Sequence, residues 1–188
     1  MIVGYHVIFG AYGFWLPNDP RGSWSDFVGA WELFRYGPAT KTNERRSVAY
    51  QPHDSSLRLA AKQALNRPAV QFTGIQARAV GRGFAEYVTK SGLPVWACAI
   101  LPDHVHLVIG RAHIRIEQVA VLMKGAATRR LVEERIHPFD GKEKCFARGE
   151  WKVYLDPEDV DRAIRYVENN PLKENKPRQT WPFVTPAG

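Results

Sequence analysis

Two histidines, His104 and His106, have the spacing that most directly suggests chemistry. They lie in the apolar segment HVHLVI, whose composition predicts a β-strand. Alternate residues of a strand point to the same face, so both imidazoles emerge together with Cα atoms roughly 6.5–7 Å apart. One metal ion fits between them. The pair alone is weak evidence, because a hydrogen-bonded pair of sheet-face histidines has the same spacing.

A helix near the carboxyl end places a tyrosine beside an amide. Asp156 and Pro157 match a helix N-terminus, and Pro171 is expected to stop the helix. Tyr166 and Asn170 are i and i+4 neighbours, with Cβ atoms about 6 Å apart. Both lie on one edge of an apolar stripe formed by Val160, Ala163, Ile164 and Val167. If this stripe packs on the histidine face, Tyr166 and Asn170 meet the two histidines, whereas a lone tyrosine here would be an ordinary amphipathic residue.

Such a site is suited to phosphodiester chemistry. Two imidazoles and an amide oxygen leave open positions for phosphate oxygens on Mg²⁺ or Mn²⁺, which acts as a Lewis acid. Tyrosine, with an ordinary pKa of about 10, is a slow nucleophile, but beside a metal-bound phosphate it can form a covalent phosphotyrosine. A free 3′-hydroxyl can later attack that bond, so cleavage and rejoining need no nucleotide cofactor.

Length and composition fit one domain over residues 1–188. The 188 residues are 45% hydrophobic, which supports a real core and excludes collagen-like, disordered and two-domain chains. The formal net charge is +7. This excess favours a polyanionic partner, although solubility charge has the same composition.

The sequence also sets expectations for the compartment. Cys98 and Cys145 are too few for a disulfide framework, which favours a reducing environment. No apolar run approaches the about 18 residues of a membrane span, and the start lacks the features of a signal peptide. We expect a cytoplasmic protein without a membrane partner.

The elements that must position these residues follow a split βαβ pattern. Hydrophobic periodicity predicts a strand over 2–11, a helix over 69–89, a hairpin of 95–101 and 104–110 around Pro102-Asp103, a helix over 116–135, a strand over 152–155, and the last helix. This order predicts an α+β, ferredoxin-like antiparallel sheet with helices on one face and a separate C-terminal nucleophile helix.

Here the motifs resemble a known family. The segment LPDHVHLV, residues 101–108, resembles the HUH motif of single-tyrosine transposases, which include single-strand insertion-sequence enzymes and REP-associated tyrosine transposases. The segment RYVENNPLK, residues 165–173, is similar to their nucleophile helix, in which a Gln or Asn ligand follows the tyrosine by four residues. Its Asn-Asn-Pro ending is closer to the REP-associated branch. The resemblance covers about Tyr5 to Lys173 in element order.

The resemblance implies an activity and a partner. It implies a Mg²⁺- or Mn²⁺-dependent endonuclease and transposase that recognises hairpins or palindromes in single-stranded DNA. Tyr166 would attack and leave a 5′-phosphotyrosine, with His104, His106 and Asn170 holding the metal. Transposition or a domesticated role, a monomer or a homodimer, and docking of the Tyr166 helix on its own or a partner subunit all stay open.

Several basic residues are candidates for phosphate contact, although each also reads as a solvated charge. They are Lys124, Arg129, Arg130, Arg165 and Lys173. The segment at about 17–56 departs from the compact family pattern and is expected to be an irregular insertion, with a short helix near residues 31–36. Its Arg21 and Trp24 would guide a DNA strand by phosphate contact and stacking, or the tryptophan would anchor the insertion.

Two other functions fit parts of the pattern. A replication initiator or relaxase-type nickase shares the histidines and a tyrosine, but many initiators place a lysine three residues after the tyrosine, where this chain has Asn169. A non-catalytic nucleic-acid-binding module on the same fold would use exposed sheet aromatics, where this strand presents His104 and His106.

Overall fold

Four strands form a single antiparallel sheet. The computed structural model describes residues 1–14, 31–36 and 54–187. The strands are β1 Gly4–Gly10, β2 Val95–Ile100, β3 His104–Gly110 and β4 Trp151–Leu155. Their order is β2-β3-β1-β4, and every neighbouring pair is antiparallel. Strand β3 therefore lies between β1 and β2, which confirms the predicted ferredoxin-like arrangement.

The helices lie on both sides of this sheet. They are α1 Ser55–Gln63, α2 Gly74–Ser91, α3 Ile116–Glu133 and α4 Pro157–Lys173, with a short 3-10 helix at Trp31–Tyr36. Helices α2 and α3 share one core with one sheet face, and α4 packs on the opposite face. The prediction of a separate C-terminal helix is confirmed. None of the described helices is both long and apolar enough to cross a bilayer.

Alternation along β3 assigns its side chains to the two faces. Val105, Leu107 and Ile109 are buried in the core beneath α2 and α3. Val108 packs on the other side, among Ala97, Ala99, Leu155 and the α4 residues Val160, Ala163 and Val167. The predicted apolar stripe of α4 therefore rests on the sheet face that also carries His104 and His106.

One helix begins later than predicted, and one helix was not predicted. Helix α2 begins at Gly74 rather than residue 69, because Thr73 and Gln76 form a reciprocal capping box. Helix α1 was not predicted, and it is capped by the Asp54 carboxylate, which accepts from the Leu57 N–H at 2.8 Å. It begins at Ser55, so the carboxyl end of the predicted insertion is helical. Most of the 17–56 segment lies outside the described residues.

Pro171 does not stop α4, contrary to the prediction. The proline lies inside the helix, which continues to Lys173. Pro171 removes one helical hydrogen bond, but the backbone N–H groups of Glu174 and Lys176 both donate to its carbonyl. Helix α4 therefore includes Lys173, whose Nζ lies over the Tyr166 ring, and Glu174 follows as the residue that caps the helix.

The carboxyl-terminal segment protects the outer edge of β2. The Gln179 side chain accepts from the Ile100 N–H at 2.8 Å and donates to the Ile100 carbonyl at 2.7 Å. Further along, the Thr185 N–H donates to the Val95 carbonyl. These contacts pair backbone groups of an edge strand that would otherwise be open to another chain.

Candidate active site

The two motif histidines lie side by side on the α4 face of the sheet. The ring centroids of His104 and His106 are 4.8 Å apart, with planes at 74°. His106 is 4% exposed, and the His104 side chain is 13% exposed. The spacing in the sequence therefore produces a neighbouring pair of imidazoles, with one rim open to solvent at His104.

Helix α4 brings the predicted nucleophile to this pair. The Tyr166 ring centroid lies 5.8 Å from that of His106, and Tyr166 is 44% exposed. Asn170 is buried, one turn further along. The Lys173 Nζ lies 4.0 Å from the centroid of the Tyr166 ring. The helix docks on the sheet of its own chain, so one subunit holds all five of these side chains.

A third histidine, His6 of β1, belongs to the same cluster and was missed in the sequence. Its Nε2 lies 3.0 Å from His106 Nδ1, and its ring centroid is 5.6 Å from that of Tyr166. Alternation with the core residues Val7 and Phe9 was a usable sign that His6 points to the other face. The pairing of β1 with β3 that completes the contact joins residues about a hundred positions apart.

Burial keeps the inner histidines neutral. It lowers the pKa of His6 to about 4, and it lowers the pKa of His106 well below its ordinary value. Positive charge on the neighbouring His104, His6 and Lys173 lowers the pKa of His106 further. At neutral pH each of these two rings therefore has an unprotonated nitrogen, which is the form that binds a cation.

Burial holds the Tyr166 hydroxyl in its protonated form at neutral pH. Burial raises the pKa of Tyr166 above its ordinary value, and the neighbouring Asn170 side chain opposes this shift. A phenol is a weak nucleophile while it is protonated and a stronger one as the phenolate. The Lys173 ammonium lies over the face of the Tyr166 ring and makes a cation–π contact with it.

Two carboxylates that the sequence did not single out as site residues lie at the rim of the cluster. One ligand atom each from Asp103, His104 and Glu174 fall within 4.8 Å of one another. The His104 Nδ1–H donates to Asp103 Oδ1 at 2.6 Å. Phe14 stacks on the His104 ring with centroids 4.6 Å apart. Glu174 follows the last residue of α4, a position with no distinctive sequence pattern.

The side chains of the cluster are of the types that bind divalent metal ions. The carboxylate and amide oxygens suit Mg²⁺ and Mn²⁺, and the imidazole nitrogens suit transition metals. Asn170 is 7% exposed. Its side-chain oxygen is the atom that can bind a cation, whereas its Nδ2, which has no hydrogen-bond partner among the described residues, can only donate to an acceptor such as a phosphate oxygen. A buried, unpaired amide group costs about 1–3 kcal/mol, which a bound ligand can relieve.

Two predicted phosphate contacts lie near the tyrosine. Arg165 is exposed on α4, next to Tyr166 in sequence, and Lys173 is exposed at the end of the same helix. Of the two, Lys173 contacts the Tyr166 ring, and it can therefore meet an anion that approaches the tyrosine.

Three other predicted phosphate contacts lie on α3, on the opposite side of the sheet. Lys124 Nζ donates to the carbonyls of Ala147 and Gly149, which holds a loop. Arg130 pairs with Glu86 of α2, whereas Arg129 is exposed. The structure does not bring these three to the histidine face. Arg21 and Trp24 lie outside the described residues.

Fold and site together define an α+β protein of ferredoxin-like topology, whose sheet carries a His-x-His pair beneath a tyrosine-bearing helix. No protein-family model and no curated protein matches the chain. It is similar to a solved structure described as a REP-associated tyrosine transposase bound to a REP hairpin, with 10% identity over 92% of this chain and 68% of that one and a TM-score of 0.49. It is also similar to a crystal structure of a candidate transposase from Deinococcus radiodurans R1, with 14% identity over 90% and 91% of the two chains and a TM-score of 0.40. These similarities are distant, and function is inferred from the side chains of this chain.

Proposed function

We propose that the chain is a single-strand DNA endonuclease and transposase that cuts and rejoins DNA through a covalent bond to Tyr166. The observation that carries this proposal is the position of Tyr166 against His106, with His104 on the same sheet face. A nucleophile, Tyr166, and a lysine, Lys173, then lie beside the histidine pair that would bind the cation. A nucleophile and positive charge that stabilises the transferring phosphoryl group are the parts that phosphodiester transfer uses.

The tyrosine performs a transesterification. Tyr166 Oη attacks the phosphorus, and the bond from phosphorus to the 3′-oxygen breaks. The phenol loses its proton, and the leaving 3′-oxygen gains one. The products are a 5′-phosphotyrosine and a free 3′-hydroxyl, so the number of phosphodiester-type bonds is unchanged. Attack by another 3′-hydroxyl reverses the reaction and joins DNA without a nucleotide cofactor.

The residues that would hold Mg²⁺ or Mn²⁺ are His104, His106 and Asn170, with the carboxylates of Asp103 and Glu174 at the rim. When bound, the cation supplies Lewis-acid polarisation of the scissile phosphate. The chain itself positions the phosphate with its side chains: Lys173 lies over the Tyr166 ring and attracts the anion.

The proposed substrate is single-stranded DNA with a hairpin or palindromic element. This part follows from the resemblance of the two motifs to single-tyrosine transposases. The basic excess of +7 supports a polyanionic partner. Exposed Arg165 and Lys173 extend positive charge along α4 beside the nucleophile.

A binding module that stacks bases on an open sheet is less well supported. Helices α2 and α3 cover one face, and α4 covers β2 and β3 on the other. Strand β3, which carries the two motif histidines, therefore has little open surface for stacked bases.

A covalent adduct assay tests the proposal. Wild-type protein, Mn²⁺ and single-stranded oligonucleotides that carry palindromes from the DNA flanking the gene should give a species that survives denaturing electrophoresis. The same oligonucleotides without divalent cation should give none. Absence of an adduct across such a panel, with protein that is folded and binds the DNA, contradicts the proposal.

Glu174→Gln tests whether the rim carboxylate contributes to cation binding. The change removes one negative charge from the Asp103–His104–Glu174 cluster, so we expect the Mn²⁺ dissociation constant to rise on the order of tenfold. Titration calorimetry on the DNA-free protein measures it. Glu168→Gln, an exposed change on the same helix, is the matched control and should leave the affinity unchanged. Equal affinities for the two variants would remove Glu174 from the site.

A further inference from the structure

His6 and His106 share a hydrogen bond, and which ring donates decides whether His106 can bind a cation. The two rings stack with centroids 5.3 Å apart, and His6 Nε2 lies 3.0 Å from His106 Nδ1. One of these nitrogens must carry the shared proton. If His6 donates, the neutral His106 ring carries its proton on Nε2, which then has no lone pair for a cation. If His106 donates from Nδ1, its Nε2 is free to bind.

We propose that His6 is a positioning residue that accepts the Nδ1–H of His106 and thereby presents His106 Nε2 to a divalent cation. This inference rests on the proposed function, because His106 needs a free Nε2 only if it binds the cation that the reaction of Tyr166 uses. Ligand histidines in metal sites generally donate their second N–H to a fixed acceptor, which sets both tautomer and ring orientation. In this chain a second imidazole takes that place.

The other ligand histidine supports this assignment. His104 donates its Nδ1–H to the Asp103 carboxylate, which leaves His104 Nε2 free. With His6 as acceptor, both motif histidines are held in the same way and offer equivalent nitrogens. The two acceptors differ in charge: His106 donates to the neutral imidazole of His6, whereas His104 donates to the charged carboxylate of Asp103. A neutral acceptor suits His106, which is 4% exposed, because a second buried charge is avoided.

His6 also contacts the nucleophile. Its ring meets the edge of the Tyr166 ring at a centroid distance of 5.6 Å and an angle of 65°. The same side chain therefore fixes the orientation of a cation ligand and supports the ring that attacks. Loss of His6 should lower the affinity for the cation more than it disturbs Tyr166, because His106 is its hydrogen-bond partner among the contacts described.

The tautomer of His106 is the direct readout. Long-range ¹H–¹⁵N spectra of the histidine-labelled, ion-free protein at neutral pH should show His106 protonated on Nδ1 and bare on Nε2. The His106 signals are assigned by their absence in His106→Gln. A His106 ring protonated on Nε2 in the wild type overturns the proposal. This measurement needs no variant of His6 and no DNA.

Cation affinity provides the second readout. We expect His6→Leu to weaken Mn²⁺ binding about ten- to a hundredfold, the usual effect of losing an outer hydrogen-bond partner of a ligand. His6→Gln keeps an acceptor oxygen at similar reach and should recover most of that loss. His113→Leu, at an exposed histidine outside the cluster, is the matched control and should bind as the wild type does. Equal affinity in wild type, His6→Leu and His6→Gln contradicts the role.

The two hypotheses fail in different ways. A folded wild-type protein that binds no Mn²⁺ overturns the metal-dependent function and the purpose assigned to His6. A wild type that binds Mn²⁺ while His106 carries its proton on Nε2 overturns the role of His6 alone. Loss of affinity in His6→Leu without recovery in His6→Gln also counts against the acceptor role, because packing would then explain the loss.

Discussion

The Tyr166→Phe variant should form no covalent adduct with hairpin DNA and should lose DNA cleavage by about 10⁴-fold or more. The change removes only the hydroxyl that attacks phosphorus. Tyr166 is 44% exposed, and its ring keeps the contacts with His6 and His106, so the fold and the cation site should persist. Adduct yield and cleavage rate are measured under the conditions that give the wild-type adduct, with Mn²⁺ affinity as a check on the site.

Tyr154→Phe is the matched control for this variant. Tyr154 is also an exposed tyrosine, but it lies on β4 and its ring contacts Tyr5 instead of the histidine cluster. Its loss should leave adduct formation unchanged. A Tyr166→Phe protein that still forms the adduct would show that another residue is the nucleophile.

His106→Ala should abolish detectable Mn²⁺ binding and reduce cleavage about a thousandfold or more. Lewis-acid catalysis supplies several kcal/mol of transition-state stabilisation, and each 1.36 kcal/mol is worth about tenfold in rate. His106 is the most deeply buried of the predicted ligands and contacts both His6 and Tyr166. Calorimetry with Mn²⁺ and a cleavage assay over a range of cation concentrations measure the two effects.

The controls for His106→Ala separate chemistry from folding. Because the alanine leaves a cavity, thermal unfolding without cation and a second variant, His104→Ala at the more exposed ring, accompany it. Both variants should lose the cation, whereas His113→Ala should retain it. Full cleavage by a folded His106→Ala protein would exclude this histidine from the metal site.

Local sequence patterns predicted the parts of the site that lie on one element. Alternation in β3 placed His104 and His106 on the same face, opposite Val105 and Leu107, and the sheet confirms it. Helical periodicity placed Tyr166 at the edge of the apolar stripe of α4. Both patterns arise from fixed backbone geometry within a few residues, so they are visible in the sequence alone.

The parts that depend on distant pairing were not predicted. His6 meets His106 only because β1 pairs with β3 in a register that puts Ile8 opposite His106. Glu174 reaches the rim because α4 continues past Pro171, where the proline pattern predicted an end. Strand register and the tolerance of a helix for proline depend on tertiary contacts that no local pattern encodes.

Charge was the least informative predictor of site residues. Lys124 and Arg130 belong to the basic excess, yet one binds loop carbonyls and the other binds Glu86. Lys173 has the same charge and lies over the Tyr166 ring. The composition indicates attraction to a polyanion. The position of each lysine or arginine in the fold decides whether its charge is available to that polyanion.

Mass spectrometry of the adduct tests the central claim most directly. Wild-type protein is reacted with a hairpin oligonucleotide and Mn²⁺, the adduct is digested with nuclease and protease, and the modified peptide is sequenced. We predict a nucleotide joined through its 5′-phosphate to Tyr166. A nucleotide on any other residue, or a 3′-phosphate linkage, would contradict the proposed chemistry.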